Sequence, residues 1–163
     1  MKVWGVTGWK NSGKTGLVER LVATFTERGL TVSTLKHAHH EFDVDQPGRD
    51  SHRHREAGAR EVLVASDARL ALIRENRGED PPSFEDLLGR LGPADLILFE
   101  GFKTAPHPKI ECWRGNDFGP LRAGQDPTIK AVAADRALDA AVPVLPLSDT
   151  RTIAAFIAAD LGL

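Results

Sequence analysis

Hydrophobic and polar positions alternate along this chain in blocks whose period switches between strand and helix. Residues 2–7 read as a short strand around the apolar Val3-Trp4-Gly5-Val6, and after them Leu17, Val18, Leu21, Val22 and Phe25 recur at helical spacing. That run predicts a helix over residues 13–28, closed by Gly29 just past its last turn. Residues 30–36 read as a second strand rich in β-branched side chains. Residues 62–64 and 70–74, split by Ser66-Asp67-Ala68, read as a hairpin. Ser83, with Asp86 three residues on, has the capping-box pattern for a helix reaching Leu91. Residues 95–101 carry four large apolar residues in a row, bounded by Asp95 and Glu100; such a run suits a strand covered on both faces. Further strands are expected over residues 109–114, 129–134 and 142–147, then a last helix capped by Asp149 or Thr150 and running to Leu161. Alternation of this kind predicts an α/β fold, a mostly parallel sheet with helices on both faces and a β-hairpin extension.

Length and composition narrow the class. The 163 residues, 41% hydrophobic, suit a single domain spanning 1–163 that buries roughly 70% of its unfolded surface. Gly78-Glu79-Asp80-Pro81-Pro82 reads as a surface loop within it. No apolar run approaches the roughly 18 residues of a membrane span, and the start of the chain lacks the apolar core of a signal peptide. A formal charge of −2 with interspersed signs gives no basic stripe for nucleic acid and no polybasic membrane anchor. The single cysteine, Cys112, excludes an internal disulfide, suits a reducing cytoplasm and is expected to pack in or beside a strand.

The stretch TGWKNSGKTG, residues 7–16, joins the first strand to the first helix and contains Gly8-x-x-x-x-Gly13-Lys14-Thr15, the full phosphate-loop (Walker A) pattern. Its glycines let successive N–H groups turn inward on phosphate oxygens, and the helix start adds its positive dipole end. Lys14 then supplies a point charge between the β- and γ-phosphates, and the Thr15 hydroxyl a ligand for Mg²⁺. Asn11 and Ser12 are expected to keep the loop open and hydrated, and Trp9 and Lys10 to point outward at its crest. A second acid should close the metal site from a neighbouring strand end. Glu100 holds that place, whereas Asp95 starts the same strand and lies about 15 Å away at strand rise.

Residues 36–59, KHAHHEFDVDQPGRDSHRHREAGA, hold five of the six histidines and leave the carboxyl end of the second strand as a polar loop. Three readings stand: a solvated loop; a transition-metal site drawn from His37, His39, His40, His52 and His54; or a segment that senses the γ-phosphate or grips an anionic ligand. In the last, Asp50 positions water or meets Mg²⁺, and Arg49, Arg53 and Arg55 bind anions.

With the phosphate loop, LKHAHH, DVDQPGRDSHRHREAGA and LILFEGFK in view, the chain resembles the molybdopterin-guanine dinucleotide biosynthesis protein B family (MobB), from residue 2 to the last helix. The resemblance implies a cytoplasmic, dimeric P-loop protein that binds GTP with Mg²⁺. Its role would be to assist a partner guanylyltransferase that joins GMP to molybdopterin, with molybdopterin itself a further ligand. Carried over by position, the nucleotide residues are Gly8, Asn11, Ser12, Gly13, Lys14, Thr15 and Gly16; Glu100-Gly101, with Phe102 and Lys103, forms the second motif, and the hairpin becomes a dimer element. The chain departs from GTP-binding proteins in having no N-K-x-D segment. Asp135, in Ala133-Ala134-Asp135-Arg136, is the nearest acceptor for a guanine, so base choice rests on the resemblance. No strong base or arginine finger stands out, which implies at most slow GTP hydrolysis. Two other readings remain. One is a small-molecule kinase with residues 114–122 as lid and Asp50 as base. The other is a metal-delivery GTPase using the histidine loop.

Overall fold

The computed structural model describes residues 1–38, 42–115 and 119–163. They fall into two compact units, one of Met1–His37 with Phe84–Leu163, the other of Ala38–Ser83.

The first unit is built on six strands, β1 (Lys2–Gly8), β2 (Val32–Lys36), β5 (Leu96–Glu100), β6 (Lys109–Trp113), β7 (Ile129–Ala134) and β8 (Val144–Pro146), in the order β2-β5-β1-β6-β7-β8. Every pairing in the six-stranded sheet is parallel. Side chains alternate across it with the period of two that a strand imposes. Trp4, Val6, Leu96, Leu98, Ile110, Cys112, Ala131 and Ala133 face α1 (Lys14–Glu27) and α4 (Thr150–Leu161), whose Leu17, Leu21, Phe25, Ile153 and Ile157 complete one core. Val3, Ile97 and Phe99 face the other way, onto Leu88 of α3 (Phe84–Leu88) and Ala105. Val132 and Ala134 meet Ala123 on the same side, further along the sheet. β5 is buried on both faces, as its unbroken apolar run requires.

Element ends differ from the sequence reading for local reasons. α3 stops at Leu88 rather than Leu91, because Gly89, Gly92 and Pro93 follow; the chain tightens into three-residue turns, with Arg90 N donating to Leu87 O at 3.2 Å and Leu91 N to Leu88 O at 3.1 Å. β8 is three residues long, flanked and ended by Pro143 and Pro146, which have no N–H to give a ladder. Asp149 caps α4, its carboxylate accepting from Thr152 N at 3.1 Å.

The second unit carries α2 (Asp50–Glu56) and the antiparallel hairpin β3 (Glu61–Ala65) and β4 (Leu70–Arg74). Part of the expected polar loop is therefore helix. With no buried residue in α2, it is the Arg55 guanidinium that fastens the segment. It meets Asp43 at 2.9 Å, Asp45 at 3.2 Å and Glu75 at 2.7 Å. Hydrogen bonds from Arg55 hold the Asp43 carboxyl below its ordinary range, and the Arg55 pKa rises in return.

Candidate functional site

The site begins where β1 ends. Gly8 leaves the strand at φ 137°, Asn11 sits at 61° and Gly13 at 95°, so left-handed residues punctuate the turn and fold it into an anion nest. Gly8 has a second reason to be glycine: a Cβ there would stand 2.4 Å from the Cys112 carbonyl of β6. Gly13 is the N-cap of α1 and has no side chain to satisfy the first-turn donors, which stay available to an anion. Lys14, Thr15 and Gly16 form the first turn and, with Asn11, Gly13 and Arg114, line a recess of about 340 Å³.

Within this recess Lys14 Nζ donates to the Trp9 carbonyl at 2.5 Å, which lays the ammonium across the loop. Desolvation by burial lowers its pKa, Glu100 opposes that shift, and Lys103 and Lys36 add to it. Several positive groups thus converge on one loop with too little negative charge, the electrostatic setting of an anion site. Thr15 Oγ1 donates to Glu100 Oε1 at 2.9 Å, and Lys36 Nζ lies 3.5 Å from Glu100 Oε2. A hydroxyl and a carboxylate already in contact are the donor pair a hard, partly hydrated cation such as Mg²⁺ takes in a phosphate-loop protein. Asp95 serves elsewhere: its carboxylate accepts from Thr31 N at 2.8 Å and Thr31 Oγ1 at 2.6 Å, tying the approach to β2 to the start of β5.

Two expectations about the loop are corrected. Ser12 is buried rather than hydrated, and its Oγ has no hydrogen-bond partner among the described residues. It lies under the turn, 2.7 Å from where a Gly8 Cβ would be. Trp9 does not stand free at the crest: its Nε1 donates to Pro120 O at 3.0 Å, Gly119 leaves space for its ring, and Lys103 Nζ sits 5.0 Å from the ring centroid.

Asp135 follows β7 and accepts from Gly115 N at 3.2 Å, with Arg136 Nε at 3.5 Å. Asp50 belongs to the second unit, exposed on the first turn of α2, with Arg53 at 3.9 Å. His37 packs on Phe102 with ring centroids 5.0 Å apart. His39 and His40 lie outside the described residues, as do residues 116–118 of the expected lid. Among the described residues no three His, Cys, Asp or Glu side chains are grouped to hold a metal. Lys36 was missed by the sequence reading and stands out only once β2 is known to lie beside β5; Arg114 entered it only as the first residue of the expected lid, and its place at the recess follows from β6 flanking β1.

Comparisons with known proteins identify the family. A family model described as molybdopterin guanine dinucleotide synthesis protein B matches residues 3–135. The molybdopterin-guanine dinucleotide biosynthesis adapter protein of Escherichia coli (strain K12) is 38% identical over 152 residues, 91% of this chain and 87% of its own. Its counterpart in Haemophilus influenzae is 38% identical, with 94% and 85% covered. The crystal structure of a MobB protein homolog from Bacillus stearothermophilus superposes with a TM-score of 0.72 at 29% identity over 99% of both chains. A crystal structure of molybdopterin-guanine biosynthesis protein B gives 0.75 at 28% identity over 98% of this chain and 99% of that one. The phosphate loop, the glutamate that meets it, the six-stranded parallel sheet and these likenesses together place the chain in the MobB family.

Proposed function

We propose that the chain is a GTP-binding adapter of molybdopterin guanine dinucleotide biosynthesis, acting in the cytoplasm as a homodimer beside a partner guanylyltransferase that joins GMP to molybdopterin. The observation that carries the nucleotide reading is the meeting of Lys14, Thr15 and Glu100 around one nest of backbone donors. The adapter role follows from the relatives, which are named for it.

In this reading the N–H groups of the nest and of the first turn of α1 hold the β-phosphate. Lys14 neutralises charge shared by the β- and γ-phosphates, and its ammonium exchanges part of its bond to the Trp9 carbonyl for phosphate oxygens. Thr15 and Glu100 would hold Mg²⁺, which would supply neutralisation of phosphate charge. Lys36 fixes the Glu100 carboxylate from its far side. Asp135, at the carboxyl end of β7, offers an acceptor for the ring N–H groups of guanine. No residue stands out in the sequence as a strong base, so turnover stays slow until a partner completes the site.

Calorimetry with GTP and ATP in the presence of Mg²⁺, followed by assay of phosphate release with and without partner transferase, tests this. Tight GTP binding, slow release and loss of both in Lys14→Ala are expected, and Asp135→Ala should narrow the preference for GTP over ATP. Absence of binding by folded protein at millimolar nucleotide overturns the proposal. Rapid phosphoryl transfer to a small-molecule acceptor would replace it with a kinase.

A further inference from the structure

Arg114, the residue after β6, lines the recess together with the phosphate loop. A Cβ built on Gly13 would lie 3.2 Å from both Nε and Nη2 of Arg114, so one edge of the guanidinium rests against the Gly13 backbone. Arg114 makes no ion pair with any of the described residues. An arginine presents its donors in a fixed planar fork suited to two phosphate oxygens.

Sheet order decides which phosphate it faces. β1 has β5 on one side and β6 on the other. Thr15 and Glu100 meet on the β5 side, where the metal-bound end of a triphosphate, its γ-phosphate and one β oxygen, belongs. Arg114 comes from the opposite flank, and the neighbouring Gly115 N–H is held by Asp135 beyond β7. The chain here thus touches both neighbours, the Arg114 side chain resting on Gly13 and the next residue's backbone N–H meeting Asp135. With Asp135 as the acceptor for the base, as in the reading above, the α-phosphate falls on this flank of the loop. Leu147, just past β8, also reaches Gly13 from this flank, its Cδ2 3.2 Å from the same notional Cβ.

We infer that Arg114 is a second nucleotide-binding cation, directed at the α-phosphate and the adjoining β oxygen, and not an arginine finger on the γ-phosphate. The inference rests on the nucleotide reading above and adds to it a residue and a contact. Because the α- and β-phosphates are common to GTP and GDP, Arg114 should contribute equally to both, whereas a γ-directed arginine would distinguish them.

The experiment is calorimetric titration of the full chain with GTP and with GDP at fixed salt and Mg²⁺, for wild type, Arg114→Ala, Arg114→Gln and Arg114→Lys, each checked for an unchanged thermal midpoint. Arg114 is exposed, so all three variants should fold. The expected result is a loss of roughly tenfold or more in affinity for both nucleotides in the Ala and Gln variants, by similar factors, as for a lost charge-assisted bond, with a smaller loss in the Lys variant. Unchanged affinities in folded Ala and Gln variants overturn the inference while leaving the nucleotide reading intact. Weakening confined to GTP overturns it too, by assigning Arg114 to the γ-phosphate. Wild-type protein that binds neither nucleotide removes the nucleotide reading and this inference with it.

Discussion

Gly13 and Gly16 stand three residues apart in the same motif, yet the fold asks opposite things of them. Gly13 is at φ 95°, and a Cβ there would press on Arg114 and Leu147 at 3.2 Å. Gly13→Ala should therefore cost about 1–2 kcal/mol of stability, the penalty of a left-handed non-glycine residue. Gly16 is inside α1, and a Cβ there would meet only Arg20 Nη1 at an ordinary 3.5 Å. Gly16→Ala should stabilise the folded chain by up to about 1 kcal/mol, the helical penalty of glycine removed. Urea unfolding of the two variants checks both signs; Gly16 lines the recess, so any stability gained there should come with weaker nucleotide binding.

Lys14 and Cys112 carry the acid–base consequences at this scale. Burial lowers the Lys14 pKa below its ordinary 10.5, so the native chain loses this proton at lower pH than the unfolded chain does. A phosphate anion favours the ammonium, so binding takes up a proton once the pH reaches the depressed value. Nucleotide affinity should fall as the pH rises through the depressed value toward 10.5, starting earlier than a free lysine would allow; titration in buffers of different ionisation enthalpy detects the uptake. For Cys112, burial pushes the thiol up to about 12. It should not react with an aromatic disulfide reagent at pH 8 in folded protein and should react promptly in urea. Reaction of native protein at the unfolded rate would remove Cys112 from the core.

At the scale of elements, what could be read in advance depended on how local the cause was. β5 was legible because four apolar residues in a row need cover on both faces, and the phosphate loop because its glycines meet left-handed backbone that other residues resist. α2 was not legible. Its seven residues DSHRHRE bury nothing, have no apolar period, and are held through Arg55 by carboxylates up to 20 residues away. The contribution of Arg114 depends on β6 lying beside β1, a long-range pairing with no local signature. Glu111 is a further case: a buried carboxylate in a strand, whose purpose emerges only when Arg122 N and Ala123 N are seen donating to it at 2.9 Å each. Burial raises its pKa against those same hydrogen bonds. Glu111→Ala would strip the buried Ala123 N–H of its partner. The expected cost is about 1–3 kcal/mol, read as a lower thermal midpoint. Tryptophan emission should shift as well, since the neighbouring Pro120 carbonyl is the acceptor for Trp9.

At the scale of the molecule, the question is what an adapter presents to other chains. The register of the hairpin places Leu63 opposite Leu72 and Ala65 opposite Leu70, with Glu61 opposite Arg74 at the end of the same face. Leu63, Leu70 and Leu72 are all exposed. A two-stranded sheet with an apolar face is marginal alone and gains stability from being covered. A two-fold axis through that face would set one copy's leucines against those of the other, the self-complementary arrangement of a symmetric dimer. Leu63→Lys with Leu70→Lys, which are not directly opposite each other in the hairpin, would bring like charges together across such an axis, while each lysine remains solvated in an isolated chain. Sedimentation velocity at micromolar concentration should show wild type as a dimer and the double variant as a monomer with the same far-ultraviolet circular dichroism. A wild-type monomer at that concentration would assign the leucine face to a different partner, and a dimer that survives the two lysines would move the interface off the hairpin.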